Sequence, residues 1–297
     1  MNEAAIEHFR LAGRLSAQAR ELGASMIDEG VSLLEVAEEV EGLIVRKGGR
    51  PAFPVNISIN EQAAHYTPSS KDKLRFIRGD VVKLDVGAQI DGYAGDTATT
   101  VEVRTRNWST LIEAAENALG MATQIISAGV PINVIGATIE RSIRSSGYRP
   151  VINLTGHEIK RYNLHAGLTV PNVEDDTTDQ VQNGMVLAVE PFATNGEGIV
   201  NNGKKGNIYR VLRERPIKDE NAMKLFRSIV DEFGTLPFCE RWCQKLDPKA
   251  TPLLNKLLRH GLISSYAILE ERGGCYVSQA EHTILIHNGK GEITTMP

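Results

Sequence analysis

Cysteine is scarce in this chain: Cys239, Cys243 and Cys275 are the only three in 297 residues. An odd, sparse set gives no disulfide framework, and a reducing compartment is expected. Cys239 and Cys243 stand four apart on one predicted helix face, where small buried hydrophobes are expected rather than a metal site lacking two further ligands. Long apolar runs are also missing, which excludes a membrane-spanning helix. The first residues, MNEAAIEHFRLAGRL, carry charges throughout and have no signal-peptide apolar core, so a cytoplasmic protein is expected. Apolar residues at 41% and charged residues at 24% are ordinary for a soluble protein, and the length suffices for one large domain or two modest ones.

What is present begins with two aspartates, Asp85 and Asp96, in VVKLDVGAQIDGYAGDTATTVEV. Asp91-Gly92 between alternating apolar residues signals a two-residue hairpin turn. Closing it pairs residue 90 with 93 and sets Gly87 opposite Asp96. Side chains alternate between faces, so Asp85 shares a face with Asp96 as its diagonal neighbour. Two facing carboxylates repel, and burying them is costly without a cation. His157 in NLTGHEI, Glu190 in MVLAVEPFAT and Glu281 in QAEHTILIHN lie in or beside apolar runs that read as strands. Together these make four carboxylates and one imidazole, an oxygen-rich set suited to two divalent ions.

FPVNISIN, AAHYTP, KLDVGAQIDGYAGDTATT, GHEI followed by HAG, VEPFAT and EHTIL occur in this order along nearly the whole chain. In these motifs the sequence resembles the type 2 methionine aminopeptidases in their archaeal form, within the pita-bread metallopeptidases. The resemblance implies an α+β pita-bread fold with a curved antiparallel sheet. It also implies removal of the initiator methionine from polypeptide amino termini, with a small second residue preferred. Its dinuclear ligands fall on Asp85, Asp96, His157, Glu190 and Glu281. Asp85 is implied to hold one ion and His157 with Glu190 the other, Asp96 and Glu281 bridging. Co, Mn, Fe and Zn all suit such a set. Glu190 is the implied proton carrier, and His65 and His165 are implied to contact the substrate beside the scissile bond. Phe53, Leu164 and Tyr266 match pocket-lining positions. His282 alternates away from Glu281 and is not expected to be a ligand.

A weak repeat at an offset of 99 residues aligns 29–53 with 128–152, with identities that include Gly30/Gly129, Glu41/Glu140, Gly48/Gly147, Arg50/Arg149 and Pro51/Pro150. Each copy closes a two-helix unit followed by strands, which predicts pseudo-twofold αα-β halves meeting at the site. A capping box is expected at Ser32 with Glu35. Residues 207–266 interrupt this plan with three predicted helices: Ala222–Phe233, Phe238–Leu246 and Thr251–His260, the last started by Pro252. The resemblance makes this an inserted helical, winged-helix-like subdomain, leaving 1–206 and 267–297 as the catalytic domain. The segment holds eleven Lys/Arg against seven Asp/Glu. Arg241, Lys245 and Lys249 are therefore candidate contacts to ribosomal RNA, against the simpler expectation of a solvated surface. A monomer acting on nascent chains, without membrane or specific DNA partners, completes the expectation. The rivals are a proline-directed peptidase of the same fold and a non-enzymatic binding protein on this scaffold.

Overall fold

The 99-residue repeat becomes two matching helix hairpins in the computed structural model, which describes residues 1–296. The first half opens with helices α1 (Glu3–Met26) and α2 (Leu33–Arg46), the second with α3 (Ser109–Ile125) and α4 (Ile132–Ser145). The apolar spacing read from the sequence is buried: Ile6, Phe9, Leu15 and Ala19 on α1, and Leu111, Ala115, Ala118 and Ala122 on α3. Asn2 caps α1 by accepting from the Ala5 amide at 2.9 Å. Ser32 does stand at the N-cap of α2, but its side chain makes no cap hydrogen bond, so the expected capping box is not formed.

Backbone details repeat with the sequence. Gly30 N donates to Phe76 O and Gly129 N to Val181 O, each at 2.8 Å. Gly48 and Gly147 follow α2 and α4 with φ of 84° and 81°, the left-handed conformation that glycine adopts without strain. Arg50 and Pro51 pair with Gln89 and Ala88, while Arg149 and Pro150 pair with Thr194 and Ala193. Asp85 stands three residues before Ala88, and Glu190 three before Ala193. The two carboxylates are therefore equivalents in the two halves.

All strand pairings among the described residues are antiparallel. The hairpin Val81–Ile90 with Tyr93–Glu102 has the register expected, Ile90 with Tyr93 and Gly87 with Asp96, and Asp91 and Gly92 both take positive φ at its turn. In the second half, Val186–Val189 and Phe192–Thr194 pair with His282–His287 and Val277–Gln279. The halves join along Tyr93–Glu102. Ala98 N donates to Glu281 O at 3.4 Å and Glu281 N to Ala98 O at 3.1 Å, a reciprocal pair at the centre of the molecule.

Helices α5 (Glu220–Phe233), α6 (Glu240–Leu246) and α7 (Ala250–Arg259) bury Leu225, Phe226, Ile229, Leu253, Leu254 and Leu257 in a core of their own. Phe238 and Cys239, expected in a helix, instead pair as a short strand with Tyr209 and Ile208. α7 begins at Ala250, which sets Pro252 within its first turn rather than at its first position. Strands Asn201–Val211 and Ile263–Glu270 pair with each other and lead into and out of this segment. Cys239 and Cys243 are buried free thiols, as expected of small hydrophobes.

Candidate metal centre

Each of the five predicted ligands is carried by, or sits at the end of, a strand at the junction of the halves. Asp85 and Asp96 lie on the first hairpin, and His157 is on Thr155–Glu158. Glu190 follows Val186–Val189, and Glu281 precedes His282–His287. One cavity of about 220 Å³ brings all five together with Phe53, His65, Leu164, His165 and Tyr266. Ligand atoms of Asp96, His157 and Glu281 lie within 4.8 Å of one another. His157 Nε2 is 3.6 Å from Asp96 Oδ2 and 3.9 Å from Glu190 Oε1.

The donor set fits divalent cations. Asp85 Oδ1, Asp96 Oδ1 and Glu281 Oε2 are buried oxygens with no hydrogen-bond partner within the chain. Buried carboxylate oxygens are otherwise paired, because each unmet one costs about 1–3 kcal/mol or more. Burial pushes Asp85 up to about 7, partly offset by its hydrogen bond with Asp96. Asp96 and Glu281 are driven well above the carboxylate range, first by burial and then by the charges of the neighbouring carboxylates. Glu190 is raised likewise by burial and then by Asp85, partly offset by its hydrogen bond from Gln279. A cation removes this repulsion and favours the ionised forms.

The similarity to known proteins agrees with that chemistry. Residues 7–225 match the metallopeptidase family M24. A methionine aminopeptidase of Methanocaldococcus jannaschii is 47% identical over 284 residues, spanning 96% of each chain. Another, of Archaeoglobus fulgidus, is 41% identical over 295 residues and spans 99% of this chain and 100% of that one. The chain belongs to metallopeptidase family M24. Solved structures of similar fold include a thermophilic Arx1, with a TM-score of 0.86 at 16% identity, spanning 100% of this chain and 92% of that one. A methionine aminopeptidase of Thermotoga maritima has a TM-score of 0.72 at 22% identity, spanning 100% and 98%. A prolidase of Pyrococcus horikoshii has 0.63 at 19% identity, spanning 99% of this chain and 62% of that one. At such identities the likeness is one of fold, and the fold is the pita-bread arrangement of family M24.

Within this cavity of the M24 chain, the histidines are held neutral. Burial and the neighbouring His165 bring His157 down to about 3, and burial with His65 and Arg210 brings His165 down to about 4. Burial also lowers His65, whose Nδ1 lies 3.1 Å from Ala267 O. A carbonyl only accepts, so the neutral ring carries its proton on Nδ1 and leaves Nε2 a free acceptor. The His157 and His165 rings are 4.4 Å apart, and Tyr266 meets His65 edge-on at 5.1 Å. His282 is turned away, its Nδ1 2.9 Å from Thr295 Oγ1, as strand alternation required.

Several contributors escaped the sequence reading. Asn56 is paired with Asp85 across the strands, lines the cavity and leaves its Oδ1 buried and unpartnered. Gln279 Nε2 donates to Glu190 Oε2 at 3.2 Å. Arg20 Nη1 donates to Thr97 Oγ1 at 2.6 Å, and Thr97 Oγ1 to Glu281 O at 2.8 Å, which sets a cation behind Glu281. Gly87 lies under Phe53: a Cβ there would sit 2.2 Å from the ring. The hairpin register placed Gly87 opposite Asp96 but gave no sign of the Phe53 ring above it.

Proposed function

We propose that this chain is a methionyl aminopeptidase that hydrolyses the first peptide bond of polypeptides beginning with methionine, preferring a small second residue. The reading is carried by the meeting of four carboxylates and one neutral imidazole in a single cavity. Asp85, Asp96, His157, Glu190 and Glu281 hold two divalent ions, of Co, Mn, Fe or Zn. When bound, such ions acidify water and polarise a carbonyl. Glu190, oriented by Gln279, takes a proton from the attacking water and passes it to the leaving amine. His165 and His65 contact the substrate around the scissile bond, neutral and therefore free of repulsion with its ammonium group. Phe53, Leu164 and Tyr266 form the apolar wall that receives the thioether side chain.

The family-wide identity with archaeal relatives and the helical segment 207–266 support the archaeal type 2 form, with that segment as an inserted winged-helix-like subdomain. We read the protein as a cytoplasmic monomer acting on nascent chains; no helix among the described residues is long and apolar enough to cross a membrane. Of the basic residues first offered to ribosomal RNA, Arg241 is withdrawn, because it is buried against Glu41. Lys245 and Lys249 are exposed, and their removal should weaken ribosome co-sedimentation.

Methionine release from Met-Ala-Ser and proline-directed cleavage of Xaa-Pro peptides, each with added Co²⁺ or Mn²⁺, test the reading. Release from the first and not the second is expected. Cleavage of Xaa-Pro alone would reassign the site to a proline-directed enzyme, and no hydrolysis with any metal would leave a binding protein.

A further inference from the structure

Arg241, in the first turn of α6, is buried and spends four donor contacts within the chain. Its Nη1 and Nη2 donate to Glu41 Oε2 and Oε1 at 2.8 and 2.9 Å. Its Nε donates to Pro68 O at 2.8 Å, and Nη2 reaches Thr67 Oγ1 at 3.3 Å. Glu41 is equally occupied, since Trp242 Nε1 donates to Oε2 at 2.8 Å and Val55 N to Oε1 at 3.3 Å. Four stretches of chain distant in sequence are thus tied to one ion pair: α2, the segment after Phe53, the segment after His65, and α6.

Such a pair is poorly explained by stability. Replacing a buried, well-satisfied ion pair by apolar residues of similar volume is often neutral or stabilising. What the pair does supply is geometry at fixed points. Those points bracket the candidate site. Thr67 and Pro68 follow His65 by two and three residues, and Val55 lies between Phe53 and Asn56. His65 itself takes φ of 69°, a conformation that non-glycine residues keep only where the surroundings impose it. On one side it is held by Ala267 O and the Tyr266 ring. On the other, the chain leaving it is gripped by Arg241.

The repeat provides an internal control. Glu140, the equivalent of Glu41, is half-exposed, pairs with Arg144 on its own helix at 2.7 Å and accepts from Glu174 N at 3.0 Å. Neither of these partners lies in the helical segment. The buried grip exists only in the half that carries His65.

We propose that the Glu41–Arg241 pair is a positioning latch: through Thr67, Pro68 and Val55 it sets the placement of His65 for catalysis on the peptide substrate. The proposal rests on the reading of His65 as part of the peptidase site. It makes Glu41 and Arg241 positioning residues, remote from the reacting atoms.

The test is a double-mutant cycle on the full chain loaded with Mn²⁺, assayed on Met-Ala-Ser. Its corners are wild type, the paired replacement Glu41→Leu/Arg241→Met, His65→Ala, and all three changes together. We expect the paired replacement to stay folded with wild-type metal content, at some cost in melting temperature because Trp242 Nε1, Val55 N and Pro68 O lose their partners. Its kcat should fall about tenfold or more, a loss of about 1.4 kcal/mol in transition-state stabilisation. We expect no further loss when it is combined with His65→Ala, because the latch acts through that ring. Losses that multiply, or an unchanged kcat, overturn the latch. Should the paired replacement fail to fold, Arg241→Lys keeps the charge and surrenders the two-pronged contact. It should show the same loss of kcat and the same non-additivity with His65→Ala, and a wild-type kcat overturns the proposal. If His65→Ala alone keeps full kcat, the role given to His65 fails and the latch with it. A His65→Ala defect with multiplying losses defeats the latch alone.

Discussion

Phe53 and Gly87 illustrate how one hydrogen atom in place of a methyl group shapes a pocket wall. Phe53 is buried among Ala52, Ile159, Leu164 and Leu236, so its ring has little room to retreat. Gly87 sits beneath it, on the strand that also carries Asp85 and directly across from Asp96. A methyl group added there would lie 2.2 Å from Cε1 of Phe53, well inside van der Waals contact. Overpacking of this kind costs about 1–3 kcal/mol. Gly87→Ala is therefore expected to swing the Phe53 ring into the cavity and reduce kcat/KM for Met-Ala-Ser about tenfold or more, with metal content unchanged. Steady-state kinetics and metal analysis of the variant check this. A normal kcat/KM would remove Phe53 from the substrate wall.

At the level of elements, the site depends on how two antiparallel strand pairs meet. Their outer strands run past each other along Tyr93–Glu102, and three side chains stitch the contact. Thr283 Oγ1 donates to Asp96 O and accepts from Asp96 N, both at 2.8 Å. Thr100 Oγ1 donates to Gln279 O at 2.7 Å and accepts from Gln279 N at 2.8 Å. Thr97 Oγ1 donates to Glu281 O at 2.8 Å. Hydroxyls suit this place because each both donates and accepts where strand amides and carbonyls face one another. Thr283→Val keeps the shape and removes both bonds, which leaves the Asp96 amide and carbonyl unmet. The expected loss is about 1–3 kcal/mol in urea unfolding of the metal-free protein. Weaker metal retention during dialysis should accompany it, because Asp96 is a member of the cluster. Unchanged stability and retention would show that the stitch is dispensable.

The same scale shows what was readable from residues alone. The hairpin register followed from Asp91-Gly92, because a two-residue turn fixes every pair outward from it. The repeat was readable where backbone conformation demanded glycine and where Arg-Pro ended a helical unit. Glu41 was visible only as an identity with Glu140, yet the two occupy unlike surroundings. Its partner, Arg241, lies two hundred residues away, and no local pattern distinguishes a buried arginine from a solvated one. Asn56 and Gln279 were hidden for the same reason, since what matters is the carboxylate each one faces across a strand pair or cavity. Phe238–Cys239 read as helix because an apolar pair beside a charged run fits either period, and pairing with Tyr209 and Ile208 decided it.

For the whole molecule, the cluster couples stability to pH and to metal. In the metal-free chain Asp85 titrates at about 7, and Asp96, Glu190 and Glu281 lie well above the carboxylate range, all raised by burial. A folded-state pKa above the unfolded one means that the folded chain holds more protons. The associated stability is present at low pH and is lost as pH rises through the folded value. His157 and His165 act in the opposite sense, with folded values of about 3 and 4. Their contribution is present above the ordinary histidine value of about 6.5 and is lost on acidification below it. Lys83, buried and lowered well below its ordinary value, also gains stability as pH rises, so the carboxylates are isolated by comparing metal-free with metal-loaded protein. Below about pH 7 the carboxylates of the folded metal-free chain hold protons that ion binding must release. The rise in melting temperature on adding Mn²⁺ should therefore grow as pH rises from about 5 to 7. Scanning calorimetry of chelator-treated and reloaded protein at several pH values measures both curves. A gap that stays constant across that window would mean that the four carboxylates do not share one buried, cation-binding site.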